Sequence, residues 1–137
     1  MAGSFSDYAE NELLDHIMGV GSLTMPTVYV ALCTADPTDA GTGASMNEIA
    51  DANSYARVAI AADFATPAAD GSIANDGQID FAAASGSWGT VTHYALLDSG
   101  THGEGNMLIH SDLTVSKTVG DGDTVSFAIG DLTVTLG

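Results

Sequence analysis

Apolar and polar positions alternate with a period of two along most of this chain, a pattern that predicts a succession of short β-strands. The clearest run follows the corner Gly86, Ser87, Trp88 and Gly89. Val91, His93, Ala95 and Leu97 are expected on one face of that run, and Thr92, Tyr94 and Leu96 on the other. Both faces carry apolar groups, which predicts a central strand covered on both sides. Trp88, the only tryptophan, is expected to plug one end of the core. The predicted structural core is Trp88, Tyr94, Val91, Leu97 and Phe127.

One stretch has helical spacing instead. From Ser4 to Met18, Ala9, Leu13 and Ile17 stack four residues apart, with Leu14 and Met18 beside them. Ser4 or Ser6 can cap this helix, Asp7 and Glu10 suit its positive end, and Gly19 is placed to end it. Residues 1–20 therefore read as an N-terminal helix and linker.

Strands are predicted at Thr27 to Cys33 and at Tyr55 to Ile60. Between them, residues 35–53 form a long loop punctuated by Pro37, Gly41 and Gly43. A connection of that length is unusual in a compact domain, so it is expected to be a contact arm or a mobile flap, with a short turn at Met46, Glu48 and Ile49. Ala61 to Asp76 reads as small and polar, anchored by Phe64. Further strands are expected around Ile79 and Phe81, from Met107 to His110, from Leu113 to Val119, from Thr124 to Ile129 and from Leu132 to Leu136. The segment from Leu113 is either a separate strand or the continuation of the one before it past a bulge. The fold class is mainly β: an antiparallel β-sandwich or partly open barrel of about seven or eight short strands with one N-terminal helix. The length of 137 residues suits one domain.

Charge narrows the partners. Eighteen carboxylates face two cations, Arg57 and Lys117, for a net charge of −16. Nucleic-acid binding needs clustered Lys and Arg, so no nucleic-acid partner is expected, and no membrane partner for the same reason. Arg57 is expected in a structural ion pair. The single cysteine, Cys33, allows no disulfide within the chain and reads as a small buried thiol.

Catalytic and metal chemistry find little footing. His16, His93, His102 and His110 form no helical His-x-x-x-His pair, although His93 and His110 could meet across a sheet. The pairs Asp121 with Asp123 and Asp36 with Asp39 place carboxylates on loops as calcium would need, but neither matches a twelve-residue calcium loop. Turn formation on a solvated surface explains them better. No enzyme activity and no cofactor are expected.

Several stretches together resemble a family of small tailed-bacteriophage proteins, usually labelled tail-fibre or virion structural proteins. The resemblance rests on Phe5 to Asn11 with Leu13 to His16, on Met25 to Leu32, and on Thr34 to Asp39. It continues through Tyr55 to Val58, Gly86 to His93 and Leu113 to Ile129. It implies a non-enzymatic virion protein; separately, the N-terminus lacks the basic region and apolar core of a signal peptide, so the chain is expected to be made in the host cytoplasm. Its partners would be the major capsid protein or tail proteins of the same phage, and a homo-oligomer, with a trimer favoured, is implied. Two placements follow. One is a capsid decoration or cement protein that stabilises the outer shell; the other is a tail-fibre or baseplate component that binds a host glycan receptor. A compact acidic domain without a fibrous repeat fits the first somewhat better. Leu13, Leu14 and Ile17 on the helix, and Met46 and Ile49 on the long loop, are the expected subunit contacts.

Overall fold

The structure, a computed structural model, describes residues 2–24 and 26–136, so Met1, Met25 and Gly137 lie outside it. In chain order the elements are β1 (Ala2–Phe5), α1 (Asp7–Ile17), β2 (Tyr29–Cys33), β3 (Val58–Ala59) and a single 3-10 turn (Ala61–Asp63). There follow β4 (Ser72–Ala74), β5 (Ile79–Asp80), β6 (Gly89–Leu97), β7 (Met107–Val119), β8 (Ser126–Phe127) and β9 (Thr133–Thr135). Seven strands make one curled sheet, a half-barrel, in the order β3-β2-β6-β7-β1-β9-β4. β5 and β8 form a separate pair. The architecture is the mainly β, partly open barrel with one N-terminal helix that the alternation predicts.

β6 is the central strand, hydrogen-bonded to β2 on one side and β7 on the other. Tyr94, Ala95, Leu96 and Leu97 are all buried, so both faces of its second half are covered. On one face Val30, Leu32, Val91, Tyr94 and Leu96 join Ile79, Phe81, Val125 and Phe127 from around the β5–β8 pair in the main core. On the other face Ala31, Cys33, Ala95, Leu97 and Met107 form a second, smaller core with Met46. Aromatic rings run through the main core: Tyr55 and Phe81 stack at 6.3 Å, Trp88 meets Tyr55 edge-on at 5.4 Å, and Tyr94 meets Phe127 edge-on at 5.8 Å. Such pairings suit the ring quadrupoles.

The β6–β7 register explains one departure from simple alternation. Val91 sits opposite Lys117, yet His93 sits opposite Asp112. The extra residues of β7, Leu113 to Ser116, therefore bulge out against Thr92. This offset puts Val91 in the core shared by Tyr94 and Leu96, not with His93, Ala95 and Leu97 as strict alternation predicts. Leu113 to Val119 is thus the continuation of one long strand past a bulge.

The N-terminus also departs from expectation. Ala2–Phe5 is a strand, and the helix starts only at Asp7. Ser4 and Phe5 pair antiparallel with His110 and Ile109, while Ala2 and Gly3 pair parallel with Thr133 and Val134. The sheet therefore takes residues that local helix signals would also accept. Ser6 makes the switch: its hydroxyl accepts from the Ala9 N–H at 3.2 Å and donates to the Met107 carbonyl. Gly19, at φ +73°, ends the helical segment in the left-handed conformation that glycine tolerates.

The loop at 35–53 is not a flap. Met46 and Ile49 are 1% and 3% exposed, so they are corrected from subunit contacts to core residues. The Thr34 N–H donates to the Asn47 carbonyl and the Ile49 N–H to the Leu32 carbonyl, which lays residues 47–49 along the end of β2. The loop is long because it covers the outer face of the sheet, where Met46 fills the second core. Burying such a side chain contributes roughly 1.5–3 kcal/mol. β4, in the stretch read as small and polar, is a short strand set by its pairing with β9.

Candidate functional site

Three regions gather chemistry-bearing side chains or concave surface, the first a buried polar knot that holds the loops in place. Arg57 projects from the segment before β3 and Glu48 from the long loop. Arg57 Nε donates to Glu48 Oε1 at 2.8 Å and Nη2 to Oε2 at 2.7 Å. Nη1 donates to the carbonyls of Ser99 and Glu104, both at 2.8 Å. The Tyr55 hydroxyl donates to Glu48 Oε1 at 2.8 Å and accepts from the Leu32 N–H at 3.0 Å. His102 Nε2 donates to the Ile49 carbonyl at 2.8 Å. Gly43 packs on the Glu104 carbonyl, where any side chain would collide with it. Every strong donor of Arg57 therefore has a structural acceptor, which is what a buried charge requires. Burial, with the Glu48 charge beside it, raises the Tyr55 phenol far above its ordinary value. The same two causes, partly offset by Arg57, push the Cys33 thiol up to about 12. Cys33 is an inert packing residue.

The second surface is a polar hollow of about 290 Å³ lined by Ser4, Asp36, His93, His110, Ser111 and Asp112. His93 and His110 do come to one place, on β6 and β7, although His110 sits opposite Ala95 and not opposite His93. His110 Nε2 lies 2.9 Å from Asp39 Oδ1, and its Nδ1 lies 3.6 Å from Asp36 Oδ1. His93 Nδ1 bonds the Thr92 hydroxyl at 2.8 Å. The Asp7 N–H donates to the Asp39 carbonyl at 2.9 Å. The cluster latches the start of α1 and the long loop to the sheet. Asp36 also accepts from the Thr38 N–H, and Asp123 from the Gly120 N–H, each at 2.9 Å, so both acidic loops close their own turns. Among the described residues, no group of three or more His, Cys, Asp or Glu is placed to hold a metal ion.

The third surface is apolar. A groove of about 500 Å³ opens between the two edges of the half-barrel, lined by Phe5, Val28, Phe64, Ile73, Ile109 and Leu136 among others. The segment after β3 walls it, and this wall is latched to the turn after β4. Asp76 accepts from the N–H groups of Ala65 and Thr66 and from the Thr66 hydroxyl, while its own N–H donates to the Asp63 carbonyl. Elsewhere, α1 rests on β7 through its Ala9 side and turns Leu14 and Ile17 outward, 59% and 66% exposed.

The predicted residues thus fall into two groups. Trp88, Tyr94, Val91, Leu97 and Phe127 are buried. Trp88 Nε1 donates to the Asn53 carbonyl at 2.9 Å, and Asn53 in turn donates to the Ser87 carbonyl at 3.0 Å. Gly86 is needed at this corner because a Cβ there would come within 2.7 Å of the Asn53 side chain. Burial pushes the Tyr94 phenol up to about 12. Of the expected contact residues, Leu14 and Ile17 are exposed, Leu13 is half-buried, and Met46 and Ile49 are interior. Met18 and Val20, apolar neighbours of Leu14 and Ile17 in the sequence, also face outward.

Comparison with known proteins adds one match. A protein-family model described as podophage GP4 fiber I protein gp80 matches residues 4–135. No curated protein matches the chain. Among the described residues, no helix is long and apolar enough to cross a membrane.

Proposed function

The chain belongs to this podophage fiber family of virion structural proteins, and from that premise we propose that it is a non-enzymatic subunit of the tail-fibre apparatus. The family description carries the reading, since it names a fibre protein and matches nearly the whole chain. It supports the fibre placement ahead of capsid decoration, which the compact acidic character of the sequence had favoured.

A structural role is further supported by where the chemistry-bearing side chains are spent. Arg57, Glu48, Tyr55 and His102 hold loops together, and His110 latches Asp36 and Asp39. A glycan-binding role for this chain is less favoured. Trp88 and Tyr94, on which a sugar would stack, are packed in the core at 5% and 0% exposure. The chain builds and attaches the fibre, and receptor contact falls to other surfaces.

Immunogold labelling of intact virions with antibodies raised against the folded chain tests this. Gold confined to the tail supports the reading. Gold distributed over the capsid shell would return the capsid-decoration placement.

A further inference from the structure

The second half of α1 presents an apolar patch that no described part of the chain covers. Leu14, Ile17 and Met18 are 59%, 66% and 73% exposed, and Val20 just beyond them is 77% exposed. Asp7, Glu10, Leu14, Ile17 and Met18 recur at three- and four-residue intervals, so they share one outward stripe of the helix. The first turn of that stripe is anionic and the last turn is apolar. The carboxylates have a local role, since they favour the positive end of the helix dipole. That role does not account for three large apolar side chains held in water one turn further on.

Charge decides what would cover them. The chain carries −16, and both of its cations are engaged: Arg57 is buried against Glu48, and Lys117 Nζ donates to the Thr124 carbonyl at 2.9 Å. A second copy would bring the same negative field against Asp7, Glu10 and Asp15. A surface of opposite sign would gain both the apolar burial and the attraction.

We propose that this face of α1 is a docking surface for a cationic protein of the same virion. That partner presents an apolar recess for Leu14, Ile17 and Met18, with Lys or Arg side chains facing Asp7 and Glu10. The mode is a helix laid in a groove and read through residues at i, i+3 and i+4. The apolar residues supply the affinity, while the carboxylates set orientation and association rate. The proposal rests on the reading of the chain as a virion structural subunit.

The test adds purified chain to particles of its own phage made without it, and counts bound copies per particle at low and high salt. The triple variant Leu14→Ser, Ile17→Ser, Met18→Ser should bind at least about tenfold more weakly at an unchanged Tm. The pair Asp7→Asn, Glu10→Gln should flatten the salt dependence of binding. Parent-level binding by the triple variant would overturn the docking face alone. Failure of the unmodified chain to bind anywhere on the particle would overturn the virion reading and this proposal together. In sedimentation, parent and triple variant should have the same mass. A fall from oligomer to monomer would instead identify a second copy as the occupant and overturn the proposal.

Discussion

Arg57 and Glu48 meet side-on in the interior of the protein, through two hydrogen bonds of 2.8 and 2.7 Å, with side-chain exposures of 0% and 4%. Around this pair gather backbone carbonyls from Ser99 and Glu104 and the Tyr55 hydroxyl. One of the chain's two cations is therefore spent on joining the long loop to the turn between β6 and β7. Removing one partner leaves an uncompensated buried charge. Arg57→Ala and Glu48→Gln should each lower the unfolding free energy in urea, Arg57→Ala by about 3–5 kcal/mol. The double variant should lose clearly less than the sum. A loss below about 1 kcal/mol for Arg57→Ala would mean that the pair does not hold the loops.

Met46 and Leu14 are both apolar residues on segments that look peripheral in the sequence, but the structure gives them opposite roles. Met46→Ala should cost about 2–5 kcal/mol, because it opens a cavity in the second core. Leu14→Ser should change stability by no more than about 0.5 kcal/mol, because its side chain already faces water. Thermal or urea unfolding separates the two, and equal costs would contradict the placement of the long loop.

Trp88 ties its corner to Asn53 as well as filling the core. Trp88→Phe keeps a ring in place but leaves the Asn53 carbonyl without its indole donor. That carbonyl keeps the Ser85 N–H at 3.1 Å, so the lost hydrogen bond costs about 0.5–1.5 kcal/mol, and the lost ring volume adds to that. The variant should unfold at lower urea with an unchanged m-value; wild-type stability would show that the hydrogen bond at this corner contributes nothing.

Asp76 makes acid stability testable. Hydrogen bonds from the Ala65 N–H, the Thr66 hydroxyl and the Thr66 N–H hold its carboxyl below the ordinary carboxylate range. The folded value lies below the unfolded one, so the stabilisation is complete above the unfolded value and is lost as pH falls through the folded one. Tm should therefore decline below about pH 4, and Asp76→Asn should flatten part of that decline. Asp80, lowered by Ser126 and Gln78, contributes in the same direction. An acid limb identical in Asp76→Asn and wild type would show that the latch between the β3 and β4 segments is not electrostatic.

Much of this fold was legible because strand alternation is a local signal. The central strand, the Trp88 corner and the structural ion pair of Arg57 could be anticipated from residue type and spacing. Other features depend on partners distant in sequence. Ala2–Phe5 becomes a strand because β7 and β9 offer backbone groups to it, which Ser4 and Phe5 do not announce. Val91 changes neighbours because the compensating extra residues lie on β7, outside its own strand. Met46 and Ile49 sit in a polar stretch; the need of β2 and β6 for a cover on the second face draws Met46 inside, while Ile49 joins the main core. On α1, periodicity marked Ala9, Leu13, Leu14, Ile17 and Met18 as apolar but not which side the sheet would take. The sheet takes the side of Ala9, and Leu14, Ile17 and Met18 remain in water.

Cryo-electron microscopy of virions made with and without this chain tests the fibre assignment most directly. Difference density should appear at the tail, fit the half-barrel, and place the outward face of α1 against a neighbouring tail protein. Difference density arrayed over the capsid shell, with the tail unchanged, would contradict it.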